Sequence, residues 1–230
     1  AKELISNEMS KNKLKKFAEM ETFHNVFQCG AQEVETSAVL AMAGHWCEKY
    51  FKNDNPIVLE LGCGRGEYTV GLAKRNPNKS YIGIDIKGAR MWAGAKQAET
   101  EGISNVAFLR TNIEMLCRFF AQDEVDEIWI TFPDPQMKKV TKRLTSTYFM
   151  ERYRQVLRPD GVIHLKTDSP FLYTYTEAMV LENNYPIVVN TSNLYEADAS
   201  PKIEEARCLQ THYEKQWLDR GLTIKYITWK

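Results

Sequence analysis

From Ile57 onward, short β-rich runs and helical segments take turns along the chain, and this alternation constrains the fold more than any other feature. The expected strands are IVLEL (57–61), SYIGIDI (80–86), NVAFL (105–109), EIWITF (127–132), GVIHLKT (161–167) and PIVVNTS (186–192). Between them the pattern predicts helices at about 67–75, 89–101, 115–120, 146–157 and 171–182. Repeated strand–helix units give a parallel sheet covered on both faces, because each crossover must carry the chain back over the sheet. The tail adds a helix expected over 204–217 and a last strand within GLTIKYITW (221–229). The fold class is therefore α/β, with a mostly parallel seven-stranded sheet and helices on both faces.

Ahead of Asn53 the texture is helical. KNKLKKFAEM (11–20) and EVETSAVLAMAGHWCEKYF (33–51) carry apolar residues at helical spacing. No repeat, low-complexity tract or flexible linker interrupts the 230 residues. We expect one domain, with a helical extension over 1–52 and a core over 53–230.

In such sheets ligands gather at the carboxyl ends of the strands, where strand order reverses. Glu60, Gly62, Asp85, Asn112 and Asp134 fall at those ends. VLELGCGRGEYTV places an acid one residue before the end of a strand, then Gly62, Gly64 and Gly66 at the opening of a helix. Glycine lets the backbone turn tightly and approach a ligand, and the helix start offers free N–H groups. A dinucleotide fold also uses a glycine-rich first turn, but Glu67 stands at its third glycine position. Asp85 can accept the hydroxyls of a ribose or cap the next helix; Asn112 can meet an adenine edge or cap its own helix.

The stretch TFPDPQMKKVTKRL (131–144) brackets Asp134 between two prolines and then releases four cations, Lys138, Lys139, Lys142 and Arg143. Each proline removes an N–H and biases its predecessor away from the helix, so Asp134 sits on a stiffened corner. From Gln136 to Arg158 seven cations face one anion, Glu151. The whole chain balances 30 basic against 30 acidic residues, so any affinity for nucleic acid must be local.

Five scattered cysteines show no CxxC or His/Cys cluster, and we expect reduced thiols and no metal site. No apolar run reaches the roughly 18 residues of a membrane helix, and the first residues lack an apolar leader block. The expectation is a cytoplasmic protein, monomer or homodimer.

The loop Glu60–Gly66 with Asp85 and Asn112 resembles the S-adenosylmethionine-dependent methyltransferases of the Rossmann-like class I fold, whose first motif reads E/DxGxGxG. FPDP followed by cations, KTD at 166–168 and THYE at 211–214 narrow the resemblance to the bacterial tRNA (guanine-N7-)-methyltransferase family, from about Asn53 onward. The resemblance implies N7-methylguanosine formation in the variable loop of tRNA, with S-adenosylmethionine as cofactor. Carried over by position, it implies cofactor contacts at Glu60, Gly62, Gly64, Asp85, Asn112 and Asp134. It implies substrate contacts at Lys138, Asp168, Thr211, His212, Tyr213 and Glu214.

The chemistry agrees with that implication. Guanine N7 carries an unshared pair, so methyl transfer needs no prior deprotonation, and the product ring becomes cationic. A carboxylate beside the base, for which Asp134 is the candidate catalytic residue, would offset that charge. Lys139, Lys142 and Arg143 are expected to hold RNA phosphates. A base edge in the deep groove of duplex RNA is closed to side chains, so a loop or extruded guanine is expected.

Two departures stand out: Gln136 replaces the family's usual Trp after FPDP, and the basic stretch is shorter and lacks His. Alternatives are a methyltransferase of this fold acting on another RNA position, a small molecule or a protein, a nicotinamide-dependent oxidoreductase, and a non-catalytic RNA-binding protein.

Overall fold

The computed structural model describes residues 2–30, 32 and 34–230. Its centre is an eight-stranded sheet of β1 (Val26–Gln28), β2 (Ile57–Leu61), β3 (Ser80–Asp85), β4 (Val106–Arg110), β5 (Val125–Thr131), β6 (Leu157–Thr167), β7 (Ile187–Thr191) and β8 (Lys225–Trp229). The spatial order is β1-β4-β3-β2-β5-β6-β8-β7. Strand β8 runs antiparallel between β6 and β7, and every other pairing is parallel.

Strands β2 and β5 lie side by side, with β3 on one flank and β6 on the other. Strand order therefore reverses at their carboxyl ends, which opens a crevice there. Both strands are buried along almost their whole length, as their near-continuous apolar runs require.

The crossover helices are α2 (Glu67–Arg75), α3 (Gly88–Glu101), α4 (Leu116–Phe119), α5 (Thr147–Val156) and α6 (Pro170–Glu182). Helix α1 (Lys2–Met20) precedes the sheet and packs on α3; α7 (Pro201–Arg207) and α8 (His212–Asp219) precede β8. Two apolar layers hold the sheet. One joins Leu59, Ile128 and Ile163 to Phe149 and Met179. The other joins Phe108, Trp129 and Tyr226 to Tyr68, Met91 and Ile203.

The structure departs from the sequence reading in three places. The sheet has eight strands, not seven, because the three-residue β1 pairs with β4 at the edge, too short to announce itself. The helix expected over 33–51 is a series of short turns at Val34–Thr36, Ala38–Met42 and Trp46–Phe51, and its first residue, Glu33, lies outside the described residues. Ser37 caps one turn, Gly44 turns at φ 81°, and Glu124 accepts from the N–H groups of Gly44 and Trp46. A tertiary carboxylate thus takes the donors a continuous helix would have used.

The helix expected over 204–217 divides into α7 and α8. Thr211 caps α8 through its hydroxyl, which accepts from the Glu214 N–H. Lys166 fills the gap: its ammonium donates to the carbonyls of Ala206 (2.7 Å) and Leu209 (2.9 Å). Carbonyls left open at the end of α7 are satisfied by a buried charge.

Candidate functional site

The crevice at the reversal of strand order holds a cavity of roughly 530 Å³. One wall is the loop after β2, where Gly62, Gly64 and Gly66 have φ of 72°, 54° and 76°. Only glycine enters that region without strain. Gly66 is required twice, since a Cβ there would lie 2.7 Å from a Phe108 ring carbon. Thr131, Phe132, Thr211, Tyr213 and Trp217 also line it, as do Arg65 and Arg90.

Glu60 lies against this cavity at 3% exposure. Its carboxyl accepts from the hydroxyls of Thr69 (3.2 Å) and Thr131 (3.5 Å). Burial pushes its pKa up to about 8, with Asp85 and Glu67 adding to the rise. Two hydroxyls do not offset the loss of water around a carboxylate, so this group ionises readily only beside a cation.

Asp85 braces the glycine loop. It accepts from the N–H of Gly64 (2.9 Å) and, through its other oxygen, from that of Lys87 (2.8 Å). Asn112 caps the turn Ile113–Met115 by accepting from the Glu114 N–H (3.3 Å). It opens onto a second depression, of roughly 430 Å³, shared with Ile86, Gln136, Lys139 and Lys142. The half-exposed Ile86 gives this depression an apolar floor next to Asn112.

Helix α8 carries the THYE motif. Thr211 and Tyr213 face the first cavity, and Tyr213 lies over Trp217 at 6.2 Å, one helical turn away. His212 is exposed and meets Gln216. Glu214 is fully buried: it pairs with Lys166 at 2.8 Å and accepts from the Tyr195 hydroxyl. Burial holds the Lys166 ammonium below its ordinary pKa, and Glu214 opposes that effect. The pair pins α8, and so Thr211 and Tyr213, over the crevice. Asp168 is half-buried, and its carbonyl accepts from Lys225 at 3.4 Å.

The corner after β5 is built from left-handed, non-glycine backbone. Phe132 has φ 48° and Gln136 φ 49°. Such conformations persist only where surrounding structure holds them. The Phe132 N–H donates to the Lys166 carbonyl at 2.8 Å, which extends the β5–β6 ladder by one residue. Asp134 is exposed, and its carboxylate accepts from the Gln136 N–H at 2.9 Å. It stands two residues beyond Phe132, outside the lining of either depression.

The basic run separates into unlike parts. Lys138 and Lys139 are exposed and make no side-chain ion pair among the described residues. Lys142 is exposed but paired with Glu114. Arg143 is only 4% exposed. Arg152 donates to the carbonyls of Glu114 and Tyr148, Arg154 lies over Tyr185, and Arg158 pairs with Asp126. The positive field read from composition therefore shrinks to two free lysines at the corner.

Sequence reasoning missed Thr69 and Thr131, which hold Glu60, and Lys166, which holds α8. A lysine inside an apolar strand was a usable signal for the last, and the spacing of Tyr213 and Trp217 was one for the ring pair. Among the described residues no group of three or more His, Cys, Asp or Glu could hold a metal ion, and no helix is long and apolar enough to cross a membrane.

A family model described as "Putative methyltransferase" matches residues 54–227. A Bacteroides fragilis protein named tRNA (guanine-N(7)-)-methyltransferase is 58% identical over 219 residues, covering 95% of this chain and 85% of that one. A Porphyromonas gingivalis protein of the same name is 61% identical over 212 residues, covering 91% and 85%. The crystal structure of the 16S rRNA methyltransferase KamB has a TM-score of 0.57 at 16% identity, covering 86% of this chain and 92% of that one, a likeness of fold alone.

Proposed function

The chain belongs to the tRNA (guanine-N(7)-)-methyltransferase family, and from that premise we infer that it methylates guanine N7 in tRNA with S-adenosylmethionine as cofactor. The observation that carries the reading at the site is the buried Glu60 carboxyl against a cavity at the reversal of strand order. Such a carboxyl calls for a cationic ligand, and a glycine-lined crevice admits a ligand close to the backbone. S-adenosylmethionine fits both features: it is cationic at its ammonium and sulfonium and, when bound, supplies an electrophilic methyl group.

Glu60 takes the cationic part, and the Gly62 and Gly64 backbone admits the ligand closely. Asp85 spans from the glycine loop toward the ribose, and Asn112 beside Ile86 receives the adenine. Asp134 turns from its own loop to the guanine, where its charge offsets the positive charge that develops on the ring. No base is needed, because N7 already holds a free pair. Most of the rate then comes from alignment of the reacting atoms, which can supply roughly 7–11 kcal/mol.

Tyr213 and Thr211 on α8, with His212 and Glu214 of the same turn and Asp168 after β6, form the side that meets the guanine nucleotide. Lys138 and Lys139 take phosphates next to it, and Lys142 does so only by leaving Glu114. The target is the variable loop, where a guanine can leave the stack at low cost.

Incubation with methyl-labelled cofactor and bulk tRNA, followed by nucleoside analysis, tests the reading. The expected product is labelled N7-methylguanosine, which disappears when Glu60 is replaced by Ala. Label in another nucleoside, or in none, refutes it.

A further inference from the structure

By sequence Arg143 is the fourth cation of a basic run, yet the structure buries it to 4% exposure. Its guanidinium folds back on the corner that precedes it. Nε donates to the Pro135 carbonyl at 3.1 Å and Nη2 to the Met137 carbonyl at 3.0 Å. These two carbonyls bracket Gln136, whose φ of 49° a non-glycine residue does not adopt unaided. The guanidinium in turn packs on two rings, with Phe171 at 4.8 Å and Tyr175 at 4.5 Å.

Among the described residues, three other hydrogen bonds shape the corner from Phe132 to Lys139 besides the Phe132 N–H on Lys166. The Gln136 N–H to Asp134 and the Lys139 N–H to the Gln136 carbonyl lie within the corner itself, and the Lys142 N–H to the Lys139 carbonyl joins its end to the next turn. Apart from the strand contact at Phe132 and the local turn bond at Lys139, Arg143 therefore supplies the hydrogen bonds that tie the corner to the rest of the protein. We propose that Arg143 is a positioning residue: its forked guanidinium holds the Pro135–Met137 backbone, and through it Asp134, in the place the reaction requires, and it makes no contact with RNA phosphate.

Two features of guanidinium chemistry make the assignment specific. The planar fork presents parallel donors to two acceptors, which a lysine ammonium on a flexible stem does not reproduce. A guanidinium also carries donors only, which suits it to backbone carbonyls. Both rings lie within cation–π reach of it, while its Nε and Nη2 donate to the corner.

The proposal rests on the methyltransferase reading, so the wild-type protein must first label tRNA; if it does not, that reading fails and not this one. Given an active wild type, Arg143→Lys keeps the charge and removes the fork. The expected result is a kcat loss of about 10–100-fold, on the scale of a displacement near 1 Å, with tRNA affinity and its salt dependence unchanged. A phosphate contact predicts the reverse: kcat at saturating tRNA is kept, and Arg143→Ala lowers the salt slope by about 1. That result overturns the proposal.

Should Arg143→Lys fail to fold, as shown by loss of its thermal transition, Phe171→Leu removes one ring at a site 38% exposed. It is expected to lower kcat by a smaller factor at an unchanged salt slope. Wild-type kcat in that variant refutes the clamp.

Discussion

The loops after β2 and after β5 reach the same crevice and solve the same backbone problem by opposite means. The first needs left-handed φ at positions 62, 64 and 66 and uses glycine at each. The second needs it at Phe132 and Gln136 and uses no glycine. Instead it is tied down, by Lys166 through its carbonyl at one end and by the Arg143 fork at the other. A loop of glycines is shaped by its own composition and admits a ligand to its backbone. A clamped loop of larger residues carries side chains, and those side chains can take part in chemistry.

The largest effect expected from this contrast falls on the second loop. Replacement of Asp134 by Ala leaves both prolines and the Arg143 clamp, so the corner keeps its course. What is lost is the charge near the guanine and the acceptor of the Gln136 N–H. We expect kcat to fall by about 10²–10⁴-fold, the range of a positioned catalytic group, with the melting temperature nearly constant. Single-turnover labelling of tRNA measures it, and a loss under tenfold would move the chemistry away from the corner.

Backbone exchange between the loops gives the next largest effect. In Gly66→Ala the new methyl meets Phe108 at 2.7 Å and the residue must also hold φ 76°. Overpacking at about 1–3 kcal/mol and left-handed strain at about 1–2 kcal/mol suggest a destabilisation of about 2–5 kcal/mol. Gln136→Gly removes strain of that second kind but gives the unfolded chain more freedom, so its stability should change by less than about 1 kcal/mol. Urea titrations of the two variants decide whether the loops differ as stated.

Glu60 makes the first loop pH-sensitive. Its pKa rises from an ordinary 4.5 to about 8 in the folded protein. Between those values the folded state binds more protons than the unfolded one, so this group's contribution to stability is full below about 4.5 and is lost as pH rises toward about 8. A cationic ligand reverses the preference for the neutral form. Cofactor binding at pH 7 should therefore release close to one proton, seen by calorimetry in buffers of different ionisation enthalpy. Glu60→Gln should abolish the release.

The two loops also differ in how far they could be read from sequence. GCGRG states its own conformation, since each glycine marks a left-handed residue, and Glu60 and Asp85 followed from their places at strand ends. The α/β alternation was equally plain, because each strand and helix announces itself over five or more residues. The second loop was legible only as a corner. Its course depends on Arg143 and Lys166, which act from eight and 34 residues away on backbone groups that every residue shares. Charge counting could not tell the buried Arg143 from the exposed Lys138 and Lys139, because burial is a property of the packing of Phe171 and Tyr175.

That ambiguity yields the smallest predicted effect, within the basic run itself. Lys139 carries a free ammonium at the corner, whereas Lys142 already gives its charge to Glu114. A phosphate bound by Lys139 displaces counterions from RNA at no cost to the protein, but Lys142 must first give up a pair. Lys139→Ala is therefore expected to lower the slope of log affinity against log salt by about 1, and Lys142→Ala by clearly less. Filter binding of tRNA across a salt series separates them. Equal slopes would mean that RNA opens the Lys142–Glu114 pair, and that the depression beside Asn112 is remodelled when tRNA binds.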